Sequence, residues 1–118
     1  MNIKSFEDLI CWQKAQDLSV RIYTTFRQNK DWSFKDQIQR ASVSISNNIA
    51  EGSERTSKEF LRFLSIAKSS CNEVKPLLFL AFKLNYINEI EKITLINDST
   101  EVSKIIQGLK NSIEKNID

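Results

Sequence analysis

Histidine is absent from the chain, and the turn-forming residues are nearly so: 118 residues contain no His, two Gly and one Pro. Without His, the commonest general base and the commonest metal ligand are both missing. The Glu-x-x-His pairs of a di-iron bundle cannot be built. No phosphate-cradling glycine loop and no nucleophile-elbow motif occurs. A cysteine nucleophile would lack its usual His partner. An acid pair would need two carboxylates such as Glu51 and Glu73 to converge, which spacing alone does not show. The expectation is therefore a protein that is not an enzyme, with no catalytic residue, metal, cofactor or small-molecule substrate. The shortage of Gly and Pro also excludes turn-rich β folds and favours a few long helices.

Two further absences bear on location. Residues Met1–Asp8 lack the apolar segment of a signal peptide. The longest apolar run, Leu77–Phe82, falls far short of the roughly 20 residues that span a membrane. A cytoplasmic protein with no membrane partner is expected. Cys11 and Cys71 form no CxxC pair and fall within helical patterns, so they read as small core hydrophobes.

What is present suits one globular domain over residues 1–118, with 41% apolar and 27% charged residues. Four segments carry the period of an amphipathic helix. The first, about 6–28, places Phe6, Leu9, Trp12, Ala15, Leu18, Ile22 and Phe26 on one face, with Ser5 and Asp8 at its positive end. A break at Asn29–Ser33 precedes the second, about 33–52, with Phe34, Ile38, Ala41, Ile45 and Ile49 as its stripe. Gly52 reads as a left-handed stop. Thr56 and Glu59 fit a capping box for the third, about 56–84, whose stripe runs Phe60, Phe63, Leu64, Ala67, Cys71, Val74, Leu78 and Ala81. Pro76 inside it predicts a kink near 72–76. The fourth, about 88–115, shows Ile90, Ile93, Ile96, Ile105, Leu109 and Ile113, and the weak helix propensity of Asn97–Thr100 in its middle leaves open whether it is continuous. Short connections imply an all-α, up-down-up-down antiparallel four-helix bundle.

The third segment carries more apolar surface than a lone bundle needs. Leu61 and Phe79 lie off its stripe and Leu80 lies nearly opposite. Either the Pro76 kink turns these residues inward, the chain tolerates them on its surface, or they meet other copies in a closed homo-oligomer. Val43 and Ala50, on the back of the second segment, would let another helix approach closely.

Two polar patterns stand out. Arg40, Ser44, Asn47 and Glu51, continued by Arg55, form a flank of the second segment. Such a row reads first as a structural hydrogen-bond network within or between subunits, and second as a ligand or nucleic-acid site. Lys58, Arg62, Lys68, Lys75 and Lys83 occupy the back of the third segment. They are either a solvated face or a phosphate-binding footprint for RNA or DNA. Charge is uneven in the same direction: residues 1–83 hold 13 Lys and Arg against 9 Asp and Glu, and residues 84–118 hold 4 against 6.

Particular stretches carry a family resemblance. Phe6–Ala15 is similar to the opening, and Gln37–Gly52 to the most distinctive signature, of the four-helix-bundle proteins known as 23S rRNA intervening-sequence proteins. Arg55, Ser57, Glu59, Phe60, Phe63, Leu64, Ile66, Ala67, Ser70, Glu73, Leu84, Tyr86 and Ile87 continue the likeness. Ser46 stands where the family often has proline, and Ser69 and Asn85 where it often has glycine. The resemblance implies a bacterial protein forming a homopentameric ring of bundles, first found encoded in inserts within 23S rRNA genes. It also implies kinship with the accessory variability protein of diversity-generating retroelements, a basic pentameric barrel that binds nucleic acid and reverse transcriptase. No catalytic residues carry over. A nucleic-acid-associated accessory role is the leading expectation, and a protein-interaction or scaffolding module with no nucleic-acid role is the alternative.

Overall fold

A computed structural model describes residues 5–117. Among them stand a short 3-10 turn, Phe6–Asp8, and four helices: α1 Ile10–Thr25, α2 Trp32–Ser53, α3 Ser57–Lys83 and α4 Glu89–Lys115. The described residues contain no strand. Each helix packs on its sequence neighbours, α1 also meets α4, and α2 and α3 share the most extensive interface. The body measures 49 × 20 × 19 Å, close to the roughly 40 Å that a 27-residue helix spans.

Local chemistry sets the boundaries. Asp31 accepts from the Phe34 amide at 3.1 Å and starts α2 at Trp32. Thr56 with Glu59, and Asn88 with Glu91, form complete capping boxes for α3 and α4. At the end of α3 the Tyr86 amide reaches the Ala81 carbonyl and the Asn85 amide the Phe82 carbonyl. This pairing needs a left-handed residue at position 85, and Asn85 supplies it with φ 63°.

Buried apolar side chains from all four helices form the core, including Leu18, Ile22, Ile38, Ile45, Ile49, Leu64, Val74, Leu78 and Ile106. Truncating one such residue, for example Leu64→Ala, would cost about 2–5 kcal/mol. Cys11 and Cys71 are free thiols inside this core. Serines share the interior. Ser46 accepts from the Gln16 amide group of α1 at 3.0 Å, and Ser99 donates to the Cys71 carbonyl at 3.4 Å.

Several sequence expectations are corrected. The first segment is not one helix: Ser5 caps the 3-10 turn, Leu9 is extended, and α1 begins at Ile10. The continuity of α4, which the sequence leaves open, is decided by the fold: the helix runs through Asn97–Thr100 unbroken, because packing outweighs the weak propensity of these residues. Its buried stripe is Leu95, Ser99, Val102, Ile106 and Ile113, while Ile90 and Ile93 are exposed. Gly52 is not a left-handed stop. It lies inside α2 with an ordinary φ, and a Cβ there would sit 2.5 Å from the Phe63 Cβ. The glycine is required by close helix approach, not by chain reversal. Helix α3 continues through Pro76, which is exposed. Of the readings left open for the apolar surplus, Phe79 and Leu80 follow the one that keeps them on the surface, and only Leu61 departs from it, half-buried against the core.

Candidate nucleic-acid interface

The cations of α3 owe their positions to the apolar stripe, which fixes the rotation of the helix about its axis. Phe60, Leu64, Ala67, Cys71, Val74 and Leu78 face inward, so Lys58, Arg62, Lys75 and Lys83 emerge exposed. Among the described residues none of these four makes an ion pair. The Arg62 guanidinium lies 4.8 Å from the Phe63 ring centroid, and that of Arg55 5.4 Å from the same ring. Such stacking orients a guanidinium without neutralising it. Lys68 differs from the others. It is half-buried and its ammonium donates to Gln107 Oε1 on α4 at 2.7 Å.

The polar row on α2 is divided. Arg40 pairs with Asp36 at 2.8 Å and Arg55 with Glu51 at 2.6 Å, each one helical turn apart and exposed. Such pairs contribute only a few tenths of a kcal/mol each, about 0.3–0.5. Among the described residues Ser44 is the member of the row that hydrogen-bonds to another helix: its Oγ accepts from Ser70 of α3 at 2.8 Å, and also from Asn48 at 3.0 Å. Asn47 is exposed beside a surface hollow lined also by Phe6, Ala50 and Glu54. The N-terminal turn thus occupies ground next to Ala50, which is half-buried, as is Val43.

The apolar surplus includes Phe79 and Leu80, as the sequence pattern has it, and extends well beyond them. Tyr86 donates to Asp31 at 2.6 Å, and its ring meets that of Phe34 with centroids 5.4 Å apart. These contacts join the α1–α2 and α3–α4 connections at one end of the molecule. Among the described residues, eight of the ten large exposed apolar side chains lie in the helix halves that lead to this end: Val20, Tyr23, Trp32, Phe79, Leu80, Leu84, Ile90 and Ile93. An apolar groove of about 280 Å³ between α1 and α4 is lined by Val20, Thr24, Ile90 and Leu95. The Lys92 ammonium lies 4.1 Å from the Phe82 centroid and 5.7 Å from that of Phe79. Sequence reasoning assigned Ile90 and Ile93 to the core and Trp32 to a loop. The signal that separates them is the alternative α4 stripe through Ser99 and Val102, which leaves both isoleucines outside.

The remaining reactive groups are quiet. Burial pushes the Cys11 thiol up to about 11 and the Cys71 thiol up to about 12, so neither forms the thiolate that reacts with electrophiles or metals. Glu51 is engaged by Arg55. The described residues hold no cluster of three or more metal-binding side chains, and no helix among them is long and apolar enough to cross a membrane.

Comparison with known proteins agrees with the residue pattern. The family model described as 23S rRNA-intervening sequence protein matches residues 7–108. A solved structure from Bacteroides thetaiotaomicron, a protein with unknown function from the S23 ribosomal protein family, is similar at 29% identity and a TM-score of 0.80. The match covers 86% of this chain and 98% of that one. No curated protein matches the chain.

Proposed function

Because the chain belongs to the 23S rRNA-intervening sequence protein family, we propose that it is a non-enzymatic cytoplasmic accessory protein, an up-down-up-down bundle that self-associates into a closed ring, a pentamer, and holds RNA by its phosphates. The observation that carries the nucleic-acid reading is the exposed set Lys58, Arg62 and Lys75, without ion-pair partners among the described residues. Cations in this state can meet phosphates without first breaking an internal bond. Lys68 contributes less, since Gln107 holds it. Contacts of this kind give strong salt dependence and little sequence preference. Self-association is supported by the exposed Phe79, Leu80, Leu84, Ile90 and Ile93, more apolar surface than a monomer needs to leave in water.

Reversing Lys58, Arg62 and Lys75 to Glu tests the reading. Binding of a structured RNA at low salt should fall to background while the helical content stays native. Unchanged affinity would overturn the assignment of this face. The same apolar surface favours the second reading, a scaffold for other proteins, which would be indicated by a stable protein complex and no RNA binding at low salt.

A further inference from the structure

The α1–α2 connection carries a feature that the basic face of α3 does not explain. Trp32, the first residue of α2, is 68% exposed. Its position is nonetheless held. The Lys35 ammonium lies 3.9 Å from the indole centroid and also donates to the Arg27 carbonyl at 3.4 Å. One face of the ring is thereby covered by a cation, and the exposure that remains belongs to the rest of the indole. Arg27 and Lys30 are exposed, and among the described residues neither they nor Lys35 makes an ion pair. The acids nearby are already engaged: Asp31 accepts from the Phe34 amide and the Tyr86 hydroxyl, and Asp36 pairs with Arg40. The segment therefore shows its positive charge outward. Beginning at the residue before Trp32, a hollow of about 460 Å³ with a mixed polar and apolar lining is formed by Gln28, Asn29, Lys30, Asp31, Asn85 and Tyr86.

We propose that Trp32 is a base-stacking platform for single-stranded nucleic acid, with Arg27 and Lys30 taking the phosphates that flank the stacked base. An oriented aromatic ring among cations is the combination that single-strand binders use, because every base presents a π-face. The Lys35 ammonium holds the indole from one face and leaves the other to a base. The Gln28 amide offers a donor and an acceptor to a base edge or sugar, and Asn29 offers its amide donors, its Oδ1 already accepting from the Asp31 backbone amide at 2.8 Å. A membrane surface fits less well, since the chain around Trp32, from Gln28 to Gln37, is polar apart from Phe34, which is buried. The inference rests on the nucleic-acid reading above but assigns it a second surface, chosen for unpaired bases.

The test is anisotropy of labelled single-stranded RNA and DNA of about 12 nucleotides, within the site sizes of such binders, beside the matching duplex. Trp32→Ala should weaken single-strand binding about tenfold, in line with the loss of one stacked base, and leave duplex binding unchanged. Trp32→Phe should retain part of the affinity. In a Trp12→Phe background, the remaining tryptophan fluorescence should be quenched on binding. If Trp32→Ala and Arg27→Glu/Lys30→Glu bind as the parent does while the α3 reversals abolish binding, this proposal falls and the α3 reading stands. If the parent binds no nucleic acid at low salt, both fall. If Trp32→Ala dissociates the oligomer instead, Trp32 belongs to a contact between copies and the proposal is overturned.

Discussion

Gly52→Ala is the perturbation whose outcome the packing decides most sharply. On helix propensity alone it should stabilise by about 1 kcal/mol, since Gly is the poorest ordinary residue in a helix interior. The structure reverses that sign. The added Cβ would stand 2.5 Å from the Phe63 Cβ and 2.9 Å from Phe60 Cδ1, against the roughly 3.5–4.0 Å at which carbon atoms attract. The Phe63 Cβ is fixed to the α3 backbone and cannot rotate away, so α2 and α3 must separate by about 1 Å, which forfeits a quarter to a half of the dispersion energy of each affected contact. Overpacking of this kind costs about 1–3 kcal/mol, and the rigid obstacle argues for the upper end. The net effect should be a loss of about 2 kcal/mol, or about 6–10 °C in Tm for a chain of this size. Gly108 is the internal control. Nothing lies within 4 Å of its added Cβ, so Gly108→Ala should gain about 1 kcal/mol. Thermal and urea melts of the two variants should move in opposite directions. A Gly52→Ala protein as stable as the parent would refute the close approach of α2 to α3 at this point.

Two other perturbations follow from single polar atoms. The hydrogen bond from Tyr86, and secondarily that from the Phe34 amide, hold the Asp31 carboxyl below its usual range. A carboxyl with a lowered folded-state pKa contributes stability above its unfolded value, and that contribution is lost as pH falls through the folded value. Tyr86→Phe should therefore destabilise at pH 7, and its deficit against the parent should shrink as melts are repeated below about pH 4; a deficit that does not change with pH would contradict the assignment. Among the described residues the buried Ser19 hydroxyl finds no partner, so Ser19→Ala should raise stability by about 1 kcal/mol. A loss of that size in urea melts would mean that the hydroxyl has a partner.

Much of the fold was legible because apolar periodicity and capping residues act locally. The stripe Phe60–Leu64–Ala67–Cys71–Val74–Leu78 placed α3 correctly, and Thr56 with Glu59 marked its start within a residue. What periodicity missed is polar and buried. Ser99 occupies a core position by donating to a backbone carbonyl of α3, so the true α4 stripe looked interrupted and the exposed isoleucines were read in its place. Gly52 carried a turn signal while serving close packing, two roles that one sequence cannot separate. At the candidate interface, the spacing of Arg40, Ser44, Asn47 and Glu51 showed a shared flank but not partners. Asp36, one turn before Arg40, captured it instead. Trp32 was hidden in a stretch that reads as a loop, because only the folded chain shows Lys35 against its ring and Asp31 already engaged.

The most direct test of the account is light scattering behind size exclusion, on the protein alone and mixed with single-stranded RNA at low and at high salt. The account predicts a particle of five times the 13.7 kDa chain mass that gains RNA at low salt and releases it at high salt. A 13.7 kDa species that ignores RNA at every salt concentration would contradict both the assembly and the nucleic-acid role.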